Sequence, residues 1–188
     1  QSISSNNYSL STLPGTLTVK KAKVDVTALD AERIYGDPDP EFHFTVSNFK
    51  NGQTWGDSVV TGAPQFIPAA NILDSVESYD LNLGTGSLSS GNYDFNLIKG
   101  NLTINKASLL AKAEDTSRIY GDAEPQVRVT YSGFKNNETF ANSKITGAPG
   151  ITIQAVPTSP VSETKYPIEI GIGSLFSRNY DKIGRAHV

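Results

Sequence analysis

The sequence predicts a mainly β protein made of tandem copies of one small module. Three observations carry this. The stretch Lys21 to Pro64 recurs 85 residues later as Lys106 to Pro149, with 21 of 44 positions identical. Apolar and polar residues alternate with period two in short runs, the pattern of half-buried strands. Clusters of Gly, Asp, Asn and Pro separate those runs, and no helical period of useful length intervenes.

The repeat comes first, because it fixes the boundaries. Arg33-Ile34-Tyr35-Gly36-Asp37 matches Arg118-Ile119-Tyr120-Gly121-Asp122, and Pro40 matches Pro125. Phe49-Lys50-Asn51 matches Phe134-Lys135-Asn136, and Thr61-Gly62-Ala63-Pro64 matches Thr146-Gly147-Ala148-Pro149. Beyond Pro149 the offset becomes 87, so that Gly84 to Asp94 meets Gly171 to Asp181 and Tyr93 corresponds to Tyr180. A two-residue insertion falls around the Val-Pro-Thr-Ser-Pro stretch ending at Pro160. Upstream, Ser4 to Tyr8 matches Ser89 to Tyr93, and Gly15 to Val19 matches Gly100 to Ile104.

The expected organisation is therefore the tail of a preceding copy (1–20), a complete copy (21–105) and a second copy lacking its last strand (106–182). About 85 residues is an ordinary size for a small domain, so the copies read as beads and not as solenoid turns. Residues 183–188, Ile-Gly-Arg-Ala-His-Val, break the pattern. One back-translation resembles the start of a sequencing adapter, and they are expected to be a sequencing or cloning artefact. Without its last strand, the second copy should expose a sheet edge and leave its core partly open.

The strands are placed by alternation. Val24, Val26 and Ala28 alternate with polar neighbours, as do Phe42, Phe44 and Val46. Leu81 and Leu83, then Tyr93, Phe95 and Leu97, then Leu102 and Ile104 complete the first copy. Val127, Val129 and Tyr131, then Ile168, Ile170 and Ile172, repeat the pattern. Short strands with regular turns favour tandem small β-sandwiches, immunoglobulin-like in the loose sense. The alternative is a β-grasp-like module with one short helix, for which the stretch Gly56 to Val60 is the candidate.

Composition narrows function. A net charge of −3 and a pI of about 5.4, with no basic cluster, argue against nucleic acid as partner. No apolar run of about 18 residues is present, so no membrane insertion is expected. The sequence contains no Cys, which removes disulfides, thiolate metal sites and thiol nucleophiles. No cofactor is expected.

Four groups of residues stand out. Asp37, Asp39 and Glu41, with Asp122 and Glu124 in the second copy, could supply hard oxygens to calcium. The simpler reading is a shaped turn: Gly36 takes positive φ, Asp37 bonds nearby backbone, Pro40 starts a strand and Tyr35 packs inward. Trp55 beside Asn51 and Gln53 could stack on a sugar ring; core filling under a loop is the competing explanation. The shared residues Tyr35, Gly36, Asp37, Pro40, Gly62, Pro64 and Tyr93 form a structural signature. Their counterparts are Tyr120, Gly121, Asp122, Pro125, Gly147, Pro149 and Tyr180. Tyr93 is expected to pack on Tyr35. Of the two histidines, His43 corresponds to Arg128 and His187 lies in the suspected artefact, so neither suits a general base. No catalytic residue is expected.

The run K-A-x-L-x-x-x-A-x-D, R-x-Y-G-D-x-x-P, G-F-x-N, T-G-x-P, G-S-L-S-x-x-N-Y and G-x-L-T-I-x-K-A resembles the bacterial MBG domain of the YGX type. Asn48 departs from it, where the second copy has Gly133. The resemblance implies tandem repeats in large secreted or surface-anchored, often adhesin-like, bacterial proteins, and carries no catalytic residues. The expected role is a structural spacer at the cell surface whose partners are neighbouring repeats. A glycan- or host-protein-binding module, or an accessory module of a secreted enzyme, is the alternative.

Overall fold

The computed structural model describes residues 6–9, 11–57 and 59–184. The first module contains β1 (Ala22–Ala28), β2 (Ala31–Ile34), β3 (Phe44–Ser47), β4 (Val60–Thr61), β5 (Gln65–Pro68), β6 (Ser78–Gly84), β7 (Ser89–Ser90), β8 (Tyr93–Ile98) and β9 (Gly100–Asn105). The second contains β10 (Ala107–Ala113), β11 (Val129–Ser132), β12 (Gly150–Ile153), β13 (Ile168–Gly171) and β14 (Tyr180–Gly184). Strand is the only regular structure among the described residues, so the protein is mainly β.

The short helix of the β-grasp alternative does not form among the described residues. Trp55–Asp57 make a turn instead. The cause is local: the Thr54 backbone N–H and hydroxyl both donate to the Asp57 carboxylate and hold the chain in a tight loop. The second module repeats the device, with the Thr139 N–H donating to Asn142 Oδ1 at 2.6 Å.

The first module has two principal sheets, ordered β3-β1-β8 and β2-β9-β6-β5, and a small β4-β7 pair. Its first and last strand runs are parallel neighbours: β1 pairs with β8, and β2 pairs with β9. Each run leaves one sheet and enters the other. The change falls between Ala28 and Ala31 in the first run and at Lys99 in the last. Gly100 is required there, since a Cβ would stand 2.7 Å from the Ala28 carbonyl oxygen. The crossing is fastened by Asn101 N–H donating to Asp30 Oδ1 at 2.8 Å.

Alternation places the cores. Val24 and Val26 of β1 are buried with Val60, Leu88 and Tyr93, and Phe44, Val46, Phe95 and Leu97 pack around them. A second cluster starts at Tyr35, Leu102 and Ile104 and continues into the other module through Ala107, Leu109, Ile145, Leu175 and Tyr180. Only Lys106 separates β9 from β10.

The second module repeats the first sheet as β11-β10-β14. Of the four-stranded sheet, the pair β12-β13, the counterparts of β5 and β6, is what forms among the described residues. Residues 116–119, which align with β2, form no strand. Ile183 and Gly184 fall in β14, opposite Leu110 and Ala111. The rest of the suspected artefact, 185–188, lies outside the described residues.

Candidate functional site

The Tyr-Gly-Asp motif is a turn at the far end of β2. Asp37 N–H donates to the Ile34 carbonyl at 3.0 Å and Gly36 has φ of 77°, the left-handed region where glycine carries no Cβ penalty. Tyr35 N–H donates to the Asn105 carbonyl at 2.8 Å, so the turn is stitched to the end of β9. The second copy forms the same turn: Asp122 N–H donates to the Ile119 carbonyl at 3.1 Å and Gly121 has φ of 90°.

The loop carboxylates have specific partners. Buried Arg33 holds Asp39 at 2.8 Å and donates to the Asn71 carbonyl at 2.7 Å. Arg118 repeats this with Glu124 at 3.3 Å and the Val156 carbonyl. Asp37 meets Lys135 of the second module at 2.6 Å. Glu41 and Asp122 are exposed. No three His, Cys, Asp or Glu side chains converge as a metal site among the described residues. The motif's acids shape the loop and reach the neighbouring module.

That reach leads into a polar arrangement shared by the two modules. The loop after β11 carries Phe134, Lys135, Asn136 and Glu138, with Asn136 and Asn137 at φ of 54° and 57°. Tyr180 at the start of β14 accepts from Lys135 N–H at 2.9 Å and donates to Glu138 Oε2 at 2.6 Å. Tyr35 of the first module donates to Glu138 Oε1 at 2.8 Å. One carboxylate thus binds two phenols from different modules. The two rings meet edge to face, with centroids 5.6 Å apart. Tyr35 is 3% exposed.

Three further contacts close the junction. Gly36 lies so near the second module that a Cβ on it would stand 2.4 Å from Lys135 Cβ. Val76 N–H donates to Asn179 Oδ1 at 3.1 Å. Glu77 pairs with Arg178 at 2.9 Å on the rim. Burial, and next the hydrogen bond to Glu138, raise the pKa of both Tyr35 and Tyr180 above the usual phenol value.

The expected packing of Tyr93 on Tyr35 is corrected here. Tyr93 lies in the first module's own core, edge to face with Phe49 at 5.5 Å, and Tyr35 packs on Tyr180 of the next copy. Alignment pairs like with like, whereas this contact joins unlike positions of adjacent copies.

The first module carries the matching receiving face. Lys50 N–H donates to Tyr93 Oη at 3.1 Å, and Tyr93 donates to Gln53 Oε1 at 2.6 Å. Gln53 corresponds to Glu138, and Asn51 (φ of 58°) to Asn136. Two of the three sugar-binding candidates therefore occupy the face that, one copy later, receives a neighbour. Trp55, the third, is 37% exposed and sits edge-on to Phe44 at 5.6 Å. Phe140, its counterpart, stacks on Tyr131 at 4.6 Å. His43 is exposed on the edge before β3, and His187 lies outside the described residues.

The remaining signature residues brace turns. A Cβ at Gly62 would stand 2.1 Å from the Ser87 carbonyl oxygen, and one at Gly147 2.0 Å from that of Ser174. Pro64 and Pro149 stand in the same clasps, leading into β5 and β12. Pro40 is exposed, and Pro125 lines a cavity of about 430 Å³ beside residues 113–118, Tyr120 and 165–168. Glu138 and Lys135 are the junction residues that the sequence pattern did not single out. The signal for Lys135 was present in the Phe-Lys-Asn block, which recurs as fully as Tyr-Gly-Asp does; Glu138 lies two residues beyond it and aligns with Gln53, so identity between the copies gave no signal for it.

Comparison with known proteins agrees with this repeat of structure. No curated protein and no solved structure matches the chain. The MBG domain (YGX type) family matches residues 24–103 and again 109–183. The chain therefore belongs to the MBG domain family of the YGX type and carries two of its domains in tandem.

Proposed function

We propose that this chain is a stiff spacer segment of a secreted or cell-surface bacterial protein, with no catalytic activity of its own. The observation that carries the reading is the junction. A stalk must resist bending where its units meet, and these units share one apolar cluster, one two-headed Tyr–Glu–Tyr latch and a single-residue connection. A Gly- or Ser-rich linker would instead leave the modules free to reorient. The residues the two copies hold in common serve turns, cores and this junction. Asn51 and Gln53 belong to the receiving face, which weakens the glycan-binding alternative.

Small-angle scattering of the whole chain tests the mechanical part. The wild type is expected to fit one fixed inter-module arrangement, and Tyr35→Ala with Glu138→Ala to broaden the distance distribution. A wild type already as broad as the variant would remove the basis for a stiff spacer. Antibody labelling of intact source cells tests the location: surface labelling is expected, and labelling only after lysis would contradict it.

A further inference from the structure

We infer that the first module is built to carry tension along the chain, through a seam whose two strand runs are sheared and not peeled. The chain enters the module at Ala22, the start of β1, and leaves it at Asn105, the end of β9. The runs that begin and end the module lie side by side and point the same way: β1 pairs with β8 and β2 with β9, both parallel. Paired residues stand 71 places apart throughout, from Ala22 against Tyr93 at one end to Ile34 against Asn105 at the other. The register holds through the change of sheet. Entry and exit therefore sit at opposite ends of one seam.

The direction of that seam decides what tension does to it. A pull on the entry draws the first run one way, and a pull on the exit draws the last run the other. The inter-strand hydrogen bonds run across the pull, so sliding the runs requires them to give way together. Antiparallel runs would put entry and exit at the same end, and tension would open their bonds one after another. Backbone bonds close both ends of the seam. Ala22 N–H donates to the Asn92 carbonyl at 2.9 Å, and Tyr35 N–H donates to the Asn105 carbonyl at 2.8 Å. Val24 and Val26 in one sheet, and Leu102 and Ile104 in the other, are buried and close the inner face to water. Bonds beside them have no water at hand to replace a lost partner.

Side chains on the outer face repeat the pattern. Asn96 donates to Asp25 at 2.7 Å, Asn101 N–H to Asp30 at 2.8 Å, and Asn105 to Glu32 at 2.9 Å. Each of these joins the first run to the last. Exposed pairs of this kind add little to equilibrium stability. Loaded side by side, they must break with the backbone bonds before the runs can slide. At the entry Lys21 meets Asp94 at 3.9 Å. The second module begins in the same way, with β10 parallel to β14 and Lys106 meeting Asp181 at 3.5 Å. Bearing tension goes beyond keeping a distance, and it takes its setting from the spacer reading. The two fail separately, because scattering reports bending at the junction and pulling reports the seam inside one module.

Single-molecule pulling on the whole chain tests the seam. The sequence has no Cys, so introduced cysteines are the only thiol handles. Lys20→Cys with Lys106→Cys loads the seam lengthwise. Lys20→Cys with Gly91→Cys holds both runs by the same end and peels them; Gly91 has open space where the new side chain would stand. At one pulling speed the lengthwise unfolding force should be several times the peeling force. Forced unfolding follows the unfolding rate and not equilibrium stability. The double variant Asp25→Ala, Glu32→Ala should therefore lower the lengthwise force while its melting temperature stays close to that of the wild type. Lys99→Ala removes an equally exposed ion pair, to Asp80 at 2.8 Å, that lies off the seam, and should leave the lengthwise force unchanged. Equal forces in the two directions overturn the proposal. So does a double variant that unfolds lengthwise at the wild-type force, or a Lys99→Ala chain that loses as much force as the double variant.

Discussion

At the scale of single residues, Glu138 is the hinge pin. Its two oxygens each accept from a buried phenol, and hydrogen bonds to an ionised acceptor are the stronger kind. Glu138→Ala leaves both hydroxyls without that acceptor, each at a cost of about 1–3 kcal/mol, and should lower the denaturant midpoint accordingly. Glu138→Gln, which copies Gln53 of the first module, keeps an acceptor and should cost less than the alanine. The phenols also set a pH limit. Tyr35 and Tyr180 have folded pKa values above the unfolded value of 10.0. The folded chain therefore keeps protons that the unfolded chain releases. Their contribution is complete below about pH 10 and is lost as pH rises through the folded values. Chemical denaturation from pH 8 to 11, on the order of one unit per step, should show stability falling only above about pH 10. The double variant Tyr35→Phe, Tyr180→Phe should flatten that fall. A wild type equally stable across the range would contradict the shift.

At the scale of elements, the glycine of each Tyr-Gly-Asp turn separates backbone demand from junction demand. Gly36 and Gly121 share the left-handed conformation, but only Gly36 has a neighbour within contact range, at Lys135. Gly121→Ala should cost about 1–2 kcal/mol, the penalty of a Cβ in the left-handed region. Gly36→Ala should cost more, because it must also push the second module away. Equal melting shifts for the two variants would mean the close approach carries no weight. These elements also mark what the sequence makes legible. Turns such as Gly36, Gly62 and Gly147 are dictated by nearby residues, and the alternation of Val24, Val26 and Ala28 names the buried face directly. The parallel pairing of β1 with β8 was not visible, because it joins residues about 70 apart through backbone groups common to every sequence. The helix considered near Gly56 failed for a reason that could have been read: Thr54 with Asp57, and Thr139 with Asn142, are side-chain-to-backbone traps. The junction was hidden more deeply. Comparing the copies aligns Tyr35 with Tyr120, whereas the contact that buries Tyr35 is with Tyr180, the counterpart of Tyr93.

At the scale of the whole molecule, that asymmetry becomes a statement about cooperativity. In a linear array, stability is a sum of intrinsic module terms and nearest-neighbour interface terms. Here the interface term is large in kind: an apolar cluster runs unbroken from Leu102 and Ile104 through Tyr35 to Leu109 and Tyr180. Among the described residues the first module has a four-stranded sheet and the second a two-stranded pair. Through the shared cluster the second module should draw stability from the first. Scanning calorimetry of the wild type is expected to give one transition whose calorimetric and van't Hoff enthalpies agree. Truncating Tyr35 to Ala removes a buried ring worth about 3–5 kcal/mol and most of the latch with it. The variant should melt in two steps, with the second module first. Amide exchange should locate the early step, with β10, β12 and β13 losing protection while β1, β6 and β8 keep theirs. Two transitions in the wild type would mean that the junction orients the modules without coupling their folding, and that stiffness resides in the short covalent join at Lys106 alone.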